Sequence, residues 1–182
     1  MRETSWSVER ASGTEHGPGA SGLGALAHAI EFSGDLGDEH VRWELYQEAL
    51  RRGVLEPLLA AVAEEPDRTM AAGAVVAALE QVPPSAREHW VTVTSGWPTA
   101  DFVARRAHEL SVLESVTRTE GDDAEGDDAE GDDAEGVDSW TDWLQHRASV
   151  PTTRPAVLDA LATNGRTRRI RLRAAGALTR QA

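Results

Sequence analysis

The chain has no cysteine and no lysine. Without cysteine there is no disulfide framework, no thiolate metal site and no thiol nucleophile. No run of 18 apolar residues occurs, so no membrane-spanning helix is expected. The opening stretch, MRETSWSVERASGTEHGPGASG, lacks the apolar core of a secretory signal, and a cytoplasmic location is the resulting expectation. Also absent are H-E-x-x-H, a glycine-rich phosphate loop and G-x-S-x-G, the patterns of zinc hydrolysis, nucleotide binding and a serine nucleophile. The G-L-G at Gly22–Gly24 is only a weak fragment of such a loop. No catalytic residue, cofactor site or metal site is expected.

What the chain does contain is alanine and leucine at helical spacing. Its 182 residues are 40% apolar, enough to bury a sizeable core. Heavy alanine use with scattered β-branched residues favours helix over sheet. The stretch Val54–Leu79 organises the rest. Leu55, Leu58, Leu59 and Val62 recur at helical spacing, and Met70, Ala74, Val75, Ala78 and Leu79 repeat the pattern after a polar break. Asp67 is the expected N-cap of the second run, because its carboxylate can accept from the free N–H groups of the next turn. The same pattern returns over Val157–Leu178. A gapless alignment places Leu59 on Leu158, Ala61 on Ala160, Ala63 on Ala162, Ala78 on Ala177 and Leu79 on Leu178.

Further helices follow from the same spacing. One is expected over about Gly22–Phe32 and a second from Asp38 to a C-terminal stop at Gly53, together a first hairpin. Val54–Leu79 is the second. Ser85 and Glu88 have capping-box spacing ahead of a short helix through Trp90. Thr99 then opens a longer helix to about Val116, with Phe102, Val103, Ala107, Leu110 and Leu113 on its inner face. Asp138 is the expected cap of a helix carrying Trp140, Trp143 and Leu144 on one face and ending near Ser149. Pro155 suits a first helical position. Asn164-Gly165 makes a turn, and Thr167 caps a last helix.

Charge is distributed unevenly. Residues 120–136 carry ten acids and no base, including GDDAE repeated three times from Gly121 to Glu135. This segment has no apolar side chain larger than alanine and cannot offset a chain entropy of roughly 1–2 kcal/mol per residue. Residues 117–137 are therefore expected to form a disordered acidic loop, and residues 1–20 a flexible tail. From Arg147 to Ala182 there are eight arginines and one acid, Asp159. The overall charge of −13 thus hides a basic C-terminal end.

An apolar helix, a tight polar turn, and a second helix with arginines before Ala-Ala-x-Ala-Leu resembles a HEAT-type repeat. Arg171, Ala174, Ala175, Ala177 and Leu178 carry the resemblance, and Val54–Leu79 shares it in part. The resemblance implies an all-α fold of stacked antiparallel helix hairpins, a HEAT-like α-solenoid over residues 21–182, with a concave face for partners. All 18 basic residues are arginine, isoleucine occurs twice and asparagine once. This is the usage of a very GC-rich genome and resembles that of an actinobacterial protein.

The first functional expectation is a non-enzymatic adaptor or scaffold that binds an unidentified protein partner. Six tryptophans against one tyrosine and two phenylalanines provide candidate anchors, and Trp43, Trp90 and Trp97 are the candidates for partner binding. The alternative is nucleic-acid binding through Arg166, Arg168, Arg169, Arg171 and Arg173, modulated by the acidic loop. A helical lyase-like enzyme or enzyme subunit is the third. His40, Glu44 and Glu48 share one helix face, where local charge pairing is expected rather than metal binding.

Overall fold

The computed structural model describes residues 21–117 and 136–181. The expected tail, with Trp6, and nearly all of the expected acidic loop lie outside the described residues. Among those described the chain is all-helical, with nine helices, no strand, and one isolated antiparallel bridge between Thr117 and Thr153. None of these helices is long and apolar enough to cross a membrane. The bridge, and the burial of Val137, bring both edges of the expected loop into ordered structure. Val137 is the first large apolar residue after the acidic run, and burying it anchors the returning chain.

The helices fall into two compact units divided between Glu65 and Pro66. The division cuts the Val54–Leu79 stretch, so its two helices belong to different units. The first unit contains α1 (Gly22–Ala29), α2 (Glu39–Arg52) and α3 (Leu55–Glu64). Helix α1 stops three residues before the expected Phe32, where Glu31 takes a left-handed φ of 53°. Asp38 caps α2 by accepting from the backbone N–H groups of His40 and Val41, and Gly53 ends it in the left-handed conformation expected of that glycine. Leu26, Ile30, Leu45, Tyr46, Leu58 and Val62 form the core of the unit.

Helix α1 packs more extensively on α3 than on its expected hairpin partner α2. Gly22 is the reason. A Cβ built on it would lie 2.6 Å from the Ala60 carbonyl oxygen and 2.7 Å from its carbon. The two backbones therefore touch at a point that admits no side chain. The Gly22 N–H also donates to the Glu64 carboxylate at 2.7 Å, which satisfies one of the unpaired donors at the start of α1. Gly22→Ala is expected to destabilise the first unit by about 1–3 kcal/mol, the usual cost of overpacking a tight contact. Gly24→Ala is the control, since its nearest new contact would be the Ser21 hydroxyl at 3.5 Å. Urea midpoints of the two variants check this, and equal midpoints would show that α1 does not seat on α3 in solution.

The second unit contains α4 (Arg68–Leu79), α5 (Pro84–Val93), α6 (Ala100–Val116), α7 (Asp142–Ala148), α8 (Pro155–Asn164) and α9 (Arg168–Thr179). Two caps differ from expectation. Helix α5 begins with Pro84 at its first position and has no side-chain cap, so the Ser85–Glu88 capping box does not form. Starting the helix at Pro84 puts Ser85 inside its first turn, and the actual N-cap, Pro83, has no side-chain acceptor. Helix α7 is capped by the Thr141 hydroxyl, which accepts from the Leu144 N–H, and not by Asp138. Trp140 therefore precedes the helix. Asp67 and Thr167 cap α4 and α9 as expected.

Helices α8 and α9 pack closely over Val157, Leu158, Leu161, Ile170, Ala174 and Ala177, all buried together with Val116, Val137 and Ala148. At the turn between them, a Cβ on Gly165 would lie 2.5 Å from the Leu161 carbonyl oxygen, so only glycine fits. The stretches Leu55–Leu79 and Pro155–Thr179 each form a ten-residue helix followed by a twelve-residue one. Their helix starts and caps correspond at a spacing of 100 residues, pairing Asp67 with Thr167, Leu58 with Leu158 and Ala74 with Ala174. Both members of the last two pairs are fully buried. The gapless alignment by identity is thus one residue out of structural register.

Candidate functional site

The candidate anchors occupy different environments. Trp43 lies on α2 at the edge of its buried face, one turn before Tyr46 and two before Leu50, and is 39% exposed. Trp90 is buried at 3% exposure, so its ring serves packing within the second unit and is not available to a partner there. Trp97 is half-buried, with the Arg68 guanidinium 4.7 Å from its ring centre. Helical spacing alone could not distinguish these three, because a large ring at one position faces the core and at another covers a cation.

Sequence reasoning placed Phe102 on an inner face, yet it is 47% exposed. It belongs to a stack of aromatic rings and arginines on α6 and α7. The Arg106 guanidinium lies 3.5 Å from the Trp143 ring centre and 5.9 Å from that of Phe102. Arg147 lies 5.6 Å from Trp143. Carboxylates hold the two arginines in place. Arg106 Nε is 3.2 Å from a Glu109 oxygen, Glu109 accepts from the Thr141 hydroxyl, and Arg147 pairs with Glu80 at 3.3 Å. Burial pushes the Arg106 pKa down, against the pull of Glu109 and Glu80. Cation–π contacts and ion pairs together orient the side chains of this surface.

Five C-terminal arginines were the second candidate set, and the structure divides them. Arg171 donates from Nη1 to the Gly165 carbonyl at 2.5 Å, tying α9 back to its own turn. Arg166 lies 3.5 Å from Asp142, and its N–H donates to the buried Gln145 side chain at 2.8 Å. Arg168 and Arg169 are exposed, and neither makes an ion pair among the described residues. Arg173 donates from Nε to the Ser149 carbonyl at 3.1 Å, and its Nη1 lies 3.2 Å from His146 Nε2. Burial, then Arg173, Arg169 and Arg147, lower the His146 pKa below the ordinary histidine value.

Elsewhere Glu48 is held at about 2 by hydrogen bonds from Arg51 and Arg52, so it forms the local charge pairs expected of that face. Among the described residues no group of three or more histidine, aspartate or glutamate side chains is placed to hold a metal ion. In the first unit Glu65 is fully buried and accepts from Arg42 Nε at 2.9 Å, Arg42 Nη2 at 3.2 Å and the Tyr46 hydroxyl at 2.7 Å. Arg42 also donates to the carbonyls of Leu36 and Gly37. This network gathers the α1–α2 connection, α2 and the end of α3 around one carboxylate. Its groups are saturated with internal partners, which makes it structural.

Comparison with family models, with curated proteins and with solved structures finds no match to this chain.

Proposed function

We propose that this chain is a non-enzymatic protein–protein interaction module, an adaptor or scaffold built from HEAT-like helix pairs. The observation that carries this reading is the partly exposed Phe102–Arg106–Trp143–Arg147 stack. Tryptophan and arginine are the residue types that most often dominate protein interfaces, and rigid, pre-placed side chains lose little entropy on binding. Trp43 in the first unit is a further candidate anchor.

The test is affinity capture with the tagged full chain from a nuclease-treated lysate of its source, followed by mass spectrometry. One protein recovered near stoichiometry is expected. Phe102→Ala is expected to weaken its recovery by about 30-fold, the effect of a hot-spot residue worth about 2 kcal/mol. Phe102 is exposed, so its truncation leaves the fold intact. Capture that fails after nuclease treatment, or that neither Phe102→Ala nor Trp43→Ala reduces, would overturn the proposal.

A further inference from the structure

The basic end of the chain has an order that the adaptor reading does not use. Arg169, Arg173, Gly176 and Arg180 are spaced at i, i+4, i+7 and i+11, so they fall on one stripe of α9 and its C-cap. At 1.5 Å per residue the stripe is about 16 Å long. Arg180 extends back along it, with Nη1 3.6 Å from the point where a Cβ on Gly176 would lie. Gly176 adds no side chain of its own between the flanking arginines, and the Arg180 guanidinium folds back over that position. Helix α7 adds His146 beside Arg173, and next to His146 in sequence Arg147, which is paired with Glu80. The Arg173 fork is oriented by Ser149 and His146, and its Nη2 makes no hydrogen bond among the described residues. Over residues 136–181 there are eight arginines against three acids, Asp138, Asp142 and Asp159.

We propose that this stripe of α9, flanked by His146 and Arg147, contacts the phosphodiester backbone of nucleic acid without reading its bases. The geometry favours this polymer over an acidic peptide because the charge is presented as a line. A single nucleic-acid strand carries one phosphate per 3.4 Å, so about five phosphates lie along 16 Å. Guanidinium forks match phosphate oxygens in pairs. The net charge of −13 is repulsive overall, but charges more than about 8 Å from the bound phosphates are screened at physiological salt, whereas the stripe's arginines touch them directly.

The experiment is fluorescence anisotropy of labelled 20-mer oligonucleotides of two unrelated sequences, titrated with the full chain between 50 and 200 mM salt. Binding is expected with a slope of log K on log salt of about −2 to −3, and equally for both sequences. Arg169→Ala is expected to reduce that slope by about one for both. Gly176→Glu inserts a carboxylate into the stripe while removing no arginine, and it raises helix propensity, so the fold is kept. It is expected to abolish binding, whereas Gly176→Ala leaves it unchanged. Absence of binding at 50 mM salt, or binding insensitive to Arg169→Ala and Gly176→Glu, would overturn the proposal. Tighter binding of poly-glutamate than of the oligonucleotides would overturn it in favour of an acidic protein partner.

Discussion

Glu65→Ala is expected to destabilise the first unit by about 3–5 kcal/mol. The Glu65 carboxylate is fully buried and accepts three hydrogen bonds from Arg42 and Tyr46. Its removal leaves the Arg42 guanidinium, whose side chain is 11% exposed, without its carboxylate. An uncompensated buried cation costs far more than the net worth of the intact pair. Tyr46→Phe removes one hydrogen bond and is expected to cost only about 1 kcal/mol. The doubly apolar variant Arg42→Met with Glu65→Leu removes both charges and is expected to be more stable than Glu65→Ala. Urea unfolding of the three variants checks the ordering. A loss below about 1 kcal/mol for Glu65→Ala would mean that water reaches Arg42 freely. Alkaline pH is expected to weaken the first unit through Tyr46: burial, then the hydrogen bond to Glu65, raises its phenol pKa in the folded state, so above the ordinary tyrosine value of about 10 the unfolded chain ionises first and stability falls.

Leu158→Ala is expected to destabilise the second unit by an amount in the upper half of the about 2–5 kcal/mol range for such truncations. The reason lies in its surroundings. Leu158 is fully buried in a core that includes Ala148, Ala174 and Ala177. Alanine has no rotatable side chain, so these neighbours cannot turn into the vacated space, and the cavity persists. Gly165 restricts relaxation further, since the backbone at the α8–α9 turn is already in contact with Leu161. Leu158→Met, which conserves volume, is expected to cost less than about 1.5 kcal/mol. A cost near 1 kcal/mol for Leu158→Ala would show that α8 and α9 collapse onto the gap.

The helices were legible because their signals are local. Periodicity found the cores of α2, α3, α4, α6, α8 and α9, and the caps at Asp38, Asp67 and Thr167 form as their chemistry requires. Where two local signals competed, the sequence could not say which wins. Pro84 displaced the Ser85 capping box, and Thr141 displaced Asp138. Long-range features were not legible. The α1–α3 contact depends on Gly22 meeting Ala60, 38 positions away, and the G-L-G spacing suggested only a weak phosphate-loop fragment. Glu65 read as part of a polar break, whereas it is the centre of a buried network whose partners lie about twenty residues earlier. Phe102 read as core because it shares a stripe with Val103 and Leu110; in the structure Arg106 and Trp143 occupy the space beside it. The arginine-rich helix was recognised, but its division into Arg171, turned to a carbonyl, and Arg169, left to solvent, required the fold.

The division at Glu65 has a spectroscopic consequence. The single tyrosine of the chain, Tyr46, lies in the core of the first unit, and its phenol is hydrogen-bonded to the carboxylate that holds that unit together. Of the described tryptophans, only Trp43 lies in the same unit, and it is already part-exposed. Trp90, Trp97, Trp140 and Trp143 all belong to the second unit, where each is buried or half-buried. Tyrosine absorbance therefore reports on the first unit, while four of the five described tryptophans report on the second. One label-free titration separates their unfolding, and the change in each signal says which unit a substitution has weakened.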